Sequence, residues 1–163
     1  AESYIKPENV AMFERMHVFT GAECRSRYEI ALETYAKHIH IDASTMLEMV
    51  SRSILPASYE YLAKVSKAEY YAEQNGFASA SAKAAVQKLC VTIDRAAGAM
   101  EALRRALAEL DGRRLDEKQR AECCRALAHG EMAALREAAD CLEKQVPQRD
   151  WPIPDYCALL FDL

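Results

Sequence analysis

Three groups of residues in this chain have the types and spacing that site chemistry requires. His38-Ile39-His40-Ile41-Asp42 sets His38 and Asp42 four residues apart. On a helix that imidazole and carboxylate share a face and suit a metal or an ion pair, while His40 points elsewhere. A metal needs at least a third protein ligand, and none stands at matching spacing; a set built from His17, His38 and Asp42 is the metal-binding alternative. Glu14-Arg15-Met16-His17 is an E-x-x-H element of the kind used by di-iron four-helix proteins. Those proteins need two copies and two further inward glutamates, and no second copy occurs. Cys123 and Cys124 are adjacent and cannot face one site from a helix, so they are expected to pack rather than react.

Phosphate chemistry finds no support either. There is no G-x-x-x-x-G-K-[ST] or G-x-G-x-x-G, and five scattered glycines do not build a cradle. Arg104, Arg105, Arg113, Arg114, Lys118, Arg120 and Arg125 are interleaved with Glu101, Glu109, Asp111, Asp116, Glu117 and Glu122, which reads as a solvated surface of mixed sign. The formal charge of -4 supplies no excess cation for nucleic acid or anionic lipid. No partner of either kind is expected.

The elements that carry these residues are helical. Of the 163 positions, 51% are hydrophobic and 28% charged, proline and glycine number five each, and alanine is abundant. That balance gives a chain large enough for one core and rich in strong helix formers. Six cysteines without a Cys-x-x-Cys pair or zinc-site spacing read as reduced thiols. With no apolar run of membrane-spanning length and no leader, the protein is expected in the cytoplasm. Ala1 in place of Met fits a processed chain, a tag remnant or a fragment of something longer.

Pro7 opens a short helix expected over 7–17. Thr20-Gly-Ala-Glu23 matches a capping box and starts a long helix over 20–75, kinked near Pro56, whose stripe runs Tyr28, Leu32, Tyr35, Ile39, Met46 and Met49. Asp42 falls in that stripe as a half-buried carboxylate, a register-fixing polar contact. Asn75-Gly76 and Asp111-Gly112 are turn dipeptides suited to positive φ. Between them Val86, Leu89, Ile93, Ala96, Met100, Leu103, Leu107 and Leu110 alternate steps of three and four without a miss. That seam predicts a helix over 79–110. Asp116 then caps a return helix over 116–146 whose stripe, Ala121, Cys124, Ala128, Met132, Leu135, Ala139, Leu142 and Val146, contains one step of four where three is due. The short loop makes these two helices an antiparallel hairpin.

The tail 147–163 differs in character. Trp151, Ile153, Tyr156, Leu159, Leu160 and Phe161 are too apolar for a solvated end, since burying each gains about 1.5–3 kcal/mol. They are expected to fold back or to dock on another body. The sequence therefore predicts a single all-α domain, an elongated bundle made of a long kinked helix, a long antiparallel hairpin and a short tail.

Several words in the sequence are more specific than helical filler. Val18-Phe-Thr20, Ser26-Arg-Tyr-Glu-Ile30, Leu32-Glu-Thr-Tyr35, Ile41-Asp-Ala43, Thr45-Met46 and Ile54-Leu-Pro-Ala57, with the ending Trp151-Pro-Ile-Pro-Asp-Tyr156 and Leu159-Leu-Phe161, occur in order. They resemble the C-terminal region of type III glutamine synthetases, at both ends of the chain. The resemblance implies the C-terminal helical domain of a cytoplasmic glutamate–ammonia ligase that makes glutamine from glutamate, ammonia and ATP with magnesium or manganese, in homo-oligomeric rings. The metal- and nucleotide-binding barrel of that family would lie upstream, so no catalytic, cofactor or metal residue carries over to this chain. Its implied partners are the parent catalytic domain and neighbouring subunits. The expected role is structural, an assembly domain with His38, Asp42, Trp151, Tyr156, Leu160 and Phe161 as interaction or packing candidates. A free-standing helical adaptor that binds a protein through the hairpin or the tail is the competing expectation.

Overall fold

The computed structural model describes residues 1–154 together with 159 and 160. A 3-10 turn at Glu2–Tyr4 precedes α1 (Pro7–Arg15) and α2 (Gly21–Met49); a π-helical turn at Val50–Ile54 leads directly into α3 (Leu55–Gln74); then follow α4 (Ala80–Gly112), α5 (Glu117–His129), α6 (Glu131–Glu143) and a 3-10 turn at Gln148–Asp150. Among the described residues there is no strand, and the fold is all-α. The elements form three limbs. The first is α2 running through the π turn into α3. α4 runs back antiparallel to it, as the pairs His40–Asp111 and Lys83–Glu73 require. α5 and α6 return antiparallel to α4, with Arg95 paired to Glu137 and Gln145 bonded to Thr92.

Local chemistry places the limb ends. The Thr20 hydroxyl accepts from the Glu23 amide at 3.3 Å, and Glu23 reaches back to the Thr20 amide at 2.7 Å, so the capping box is complete. Asp116 and Gln119 form a second box at the start of α5. Gly76 takes φ of 80°, the left-handed conformation expected after α3. Gly112 does not: it stays in the last turn of α4, and Arg113 leaves the helix in an extended conformation.

Pro56 acts through the turn before it. Its ring clashes with the carbonyl four residues back and it has no amide hydrogen to donate, and the helix accommodates this by widening over Val50–Ile54 rather than breaking. The buried Ser58 hydroxyl donates to the Ile54 carbonyl at 2.8 Å and is thereby satisfied.

The main core joins Val50, Ile54 and Leu55 of the first limb, Leu89, Ile93, Ala96 and Leu103 of α4, and Leu135, Ala138 and Leu142 of α6. The α4 seam is buried as its spacing predicts, apart from the half-buried Val86 and Met100. The return limb differs from expectation: it is two helices, not one. Gly130 interrupts it with φ of -97° and ψ of -97°. The buried positions are Cys124 and Leu127 before the break and Met132 and Leu135 after it, so the extra residue in the stripe is absorbed at the glycine. As a result α5 lies along α2 while α6 lies along α4.

Candidate docking groove

The E-x-x-H element is structural. Glu14 Oε1 accepts from the Gly21 amide at 2.9 Å, closing an otherwise open donor at the N-terminus of α2. His17 occupies the turn between α1 and α2 at φ of 54°. Phe13 meets Phe19 edge-on with centroids 5.5 Å apart, and the Arg27 guanidinium lies 4.2 Å above the Phe19 ring. These contacts fasten α1 to the start of α2.

The His38/Asp42 pair is not formed: both residues are exposed. Asp42 is not in the seam, because Ala43 holds the buried place that the spacing assigned to it, and Ala36 likewise displaces Tyr35. α5 approaches α2 so closely that the Cys124 thiol donates to the Ala36 carbonyl at 3.8 Å. Only a small side chain fits in such a contact. His40, which sequence reasoning set aside, makes the cross-limb bond, with Nε2 3.0 Å and 3.3 Å from the two carboxylate oxygens of Asp111. No local pattern could have found that pair, since 71 residues separate its members. Among the described residues no three His, Cys, Asp or Glu side chains are grouped to hold a metal. Of the basic surface, Arg104 pairs with Glu101 at 2.8 Å and Lys118 approaches Glu2 at 3.9 Å.

A concavity lies where the helical irregularities meet. A groove of about 550 Å³ is lined by Met46, Met49, Val50 and Ile54 around the π turn, by Ala128 and Met132 beside the Gly130 break, and by Leu135 and Ala139 of α6. Trp151, Ile153, Pro154 and Leu159 form its outer wall. Three methionines give it an adaptable apolar surface. Its rim is polar, with Arg136 Nε 2.7 Å from Asp140 Oδ1 and Glu143 nearby. Trp151 and Ile153 pack on the core, as their apolarity predicts, whereas Leu159 and Leu160 are 67% and 68% exposed. Tyr156 and Phe161 lie outside the described residues.

A second uncovered region is the far end of the bundle. No residue from 59 to 88 is buried, and Tyr59, Tyr70, Tyr71 and Phe77 are exposed there. The third limb ends near Lys64, whose ammonium meets Asp150, so α3 and α4 continue as a two-helix end. No described helix is long and apolar enough to cross a membrane.

Residues 1–72 match the model of the glutamine synthetase C-terminal domain. The chain is 29% identical to a glutamine synthetase of Butyrivibrio fibrisolvens over 98% of its own length and 23% of that protein. It is 24% identical to a type-3 glutamine synthetase of Dictyostelium discoideum over 94% of its length and 22% of that protein. The chain thus spans less than a quarter of either relative. Its first 72 residues, α1, α2 and most of α3, match the glutamine synthetase C-terminal domain, and the chain is similar to glutamine synthetases, a type-3 enzyme among them, along nearly its whole length.

Proposed function

We propose that this chain is a non-catalytic assembly module of a type III glutamine synthetase, whose catalytic part makes glutamine from glutamate, ammonia and ATP with magnesium or manganese. The observation that carries this reading is the Met46/Met49/Met132 groove with its Trp151 wall: an apolar concavity with a polar rim, as protein-docking surfaces have. In this reading the groove seats a helix of the parent catalytic domain or of a neighbouring subunit of the homo-oligomer, and the cytoplasm is where it works. ATP and the divalent metal belong to the parent's catalytic part.

The test uses a type III ligase with and without this region. Removing it should reduce oligomeric size and glutamine formation together, and supplying the 163-residue chain in trans should restore part of both. A ligase that assembles and turns over unchanged without the region would contradict the reading, as would glutamine synthesis by the chain alone. The exposed Tyr70, Tyr71 and Phe77 favour a second reading, an adaptor for an unrelated protein. It predicts that the truncated ligase is indifferent to the chain.

A further inference from the structure

The turn between α3 and α4 has a fixed backbone, yet it shows its largest side chain to solvent. The Gly76 amide donates to the Glu73 carbonyl at 3.0 Å and the Phe77 amide to the Ala72 carbonyl at 2.8 Å, the paired bonds that close a helix at a left-handed glycine. On the other side of the turn the Ser79 hydroxyl accepts from the Ala82 amide at 3.3 Å, capping α4, and Lys83 Nζ donates to Glu73 at 2.6 Å. Phe77 is thus tied from both directions. A side chain at its place commonly packs back on the end of its own helix. Here the residue five positions before it is Ala72, whose methyl group covers little, and Phe77 stays 77% exposed. Tyr70 and Tyr71, edge-on with ring centroids 5.7 Å apart, are also exposed in the last turns of α3. The end of the two-helix limb is therefore a knob with three exposed rings.

An aromatic anchor on a preorganised backbone loses little freedom when it binds. A socket of matching chemistry is present in the same chain, the groove of about 550 Å³ with Met46, Met49 and Met132, whose thioethers suit the edges of aromatic rings. Charge agrees as well. Glu143 on the groove rim is exposed and forms no ion pair among the described residues, while Lys67 lies 5.9 Å above the Tyr71 ring and meets no carboxylate among them. A cation thus flanks the knob and an anion flanks the socket. The knob cannot enter the groove of its own chain, because the 20 residues of α3 hold the two about 30 Å apart. Only another copy can bring them together.

We infer that the α3–α4 turn of one copy seats in the Met46/Met49/Met132 groove of a second copy, with Phe77 as the anchor. This rests on the docking role proposed for the groove and names its occupant. Knob and socket are different patches, so the contact is head-to-tail. Each contact leaves a free socket on one copy and a free knob on the other, and copies add on until a ring closes or a filament grows. Three partly exposed rings make a contact smaller than a standard interface, so in the isolated chain the association is weak and shows at high protein concentration.

Analytical ultracentrifugation of the full chain over a concentration series should show its mass rising past that of a dimer. Phe77→Ala should weaken the association about thirty-fold, the loss expected of an aromatic anchor. Met49→Glu, at an exposed methionine of the socket, should weaken it comparably, with circular dichroism as the control for fold in both variants. An equimolar mixture of the two variants retains one intact socket, on Phe77→Ala, and one intact knob, on Met49→Glu. It should form a dimer that grows no further. A parent chain that stays monomeric overturns the inference, and so does one that stops at a dimer, which would mark a closed two-fold contact. Association unchanged in Phe77→Ala, or a mixture that fails to pair, overturns it equally. If the chain is monomeric while the ligase still loses its oligomeric state on truncation, the knob is wrong and the docking role of the groove stands.

Discussion

Glu14 Oε1 stands 2.9 Å from the amide nitrogen of Gly21 and accepts its hydrogen, joining the end of one helix to the start of the next across the left-handed turn at His17. The carboxylate thus takes a backbone donor in the first turn of α2, where a negative charge also meets the favourable end of the helix dipole. A second donor there, the Glu23 amide, goes to the Thr20 hydroxyl.

Glu14→Ala and Thr20→Ala should each destabilise the chain by about 0.5–2 kcal/mol, the range for losing a helix cap. Thermal unfolding followed by circular dichroism checks this, with midpoints expected to fall by a few degrees. The two losses should be less than additive in the double variant, because both act on the same first turn.

Two glycines should respond to alanine with opposite sign. At Gly98 an added Cβ meets nothing within 4 Å inside a continuous helix, so Gly98→Ala should stabilise by about 0.5–1 kcal/mol. At Gly130 the same atom would stand 3.1 Å from the Ala126 carbonyl oxygen, in the break that separates α5 from α6. Gly130→Ala should destabilise by about 1–3 kcal/mol. Denaturant midpoints of the two variants test the contrast, and stabilisation by both would argue that the break is not needed.

Leu103 is fully buried in the α4 seam and Ile41 is 59% exposed on α2. Leu103→Ala should cost about 2–5 kcal/mol through lost burial and the cavity left behind. Ile41→Ala should stay within about 0.5 kcal/mol. Urea unfolding of the two proteins separates them.

Thiol reactivity should follow burial. Cys24 and Cys124 are buried, and burial raises the Cys124 thiol above its ordinary range, while Cys90, Cys123 and Cys141 are partly exposed. Under native conditions a maleimide should modify Cys124 far more slowly than Cys123, its neighbour in sequence. Peptide mapping after timed labelling gives both rates, and equal rates would show that α5 does not stay packed on α2.

The Glu23 carboxyl is held below its ordinary value of 4.5, first by the hydrogen bond from the Thr20 amide and then by that from the Thr20 hydroxyl. A carboxylate depressed in the folded state contributes stability that is present above its unfolded value and is lost as pH falls through its folded one. The thermal midpoint should therefore decline on acidification below about pH 4.5. Glu23→Gln should flatten part of that decline, as measured by midpoints across an acid series.

Much of the fold is legible along the chain because its causes are local. The capping boxes at Thr20 and Asp116, the positive φ at Gly76, the disturbance ahead of Pro56 and the apolar repeat of α4 each depend on residues within a few positions of one another. The site was less legible. Steps of three and four counted along α2 put Tyr35 and Asp42 into the seam, although close helix contact favours the small side chain, and Ala36 and Ala43 hold those places. The irregular step in the return stripe was visible, but its consequence, a break at Gly130 that sends α5 to α2 and α6 to α4, depends on which neighbours compete for each face.

Sequence alone determined the helical class, the helix starts and the long seam, because periodicity, capping and turn chemistry act over one or two turns. Tertiary structure alone decided that His40 and not His38 finds a carboxylate, that Glu14 serves a backbone amide, and that the π turn, the Gly130 break and the Trp151 segment enclose one groove. The His40–Asp111 pair joins residues 71 positions apart. Such pairings arise only when whole limbs settle against one another, and no short window of sequence contains both partners.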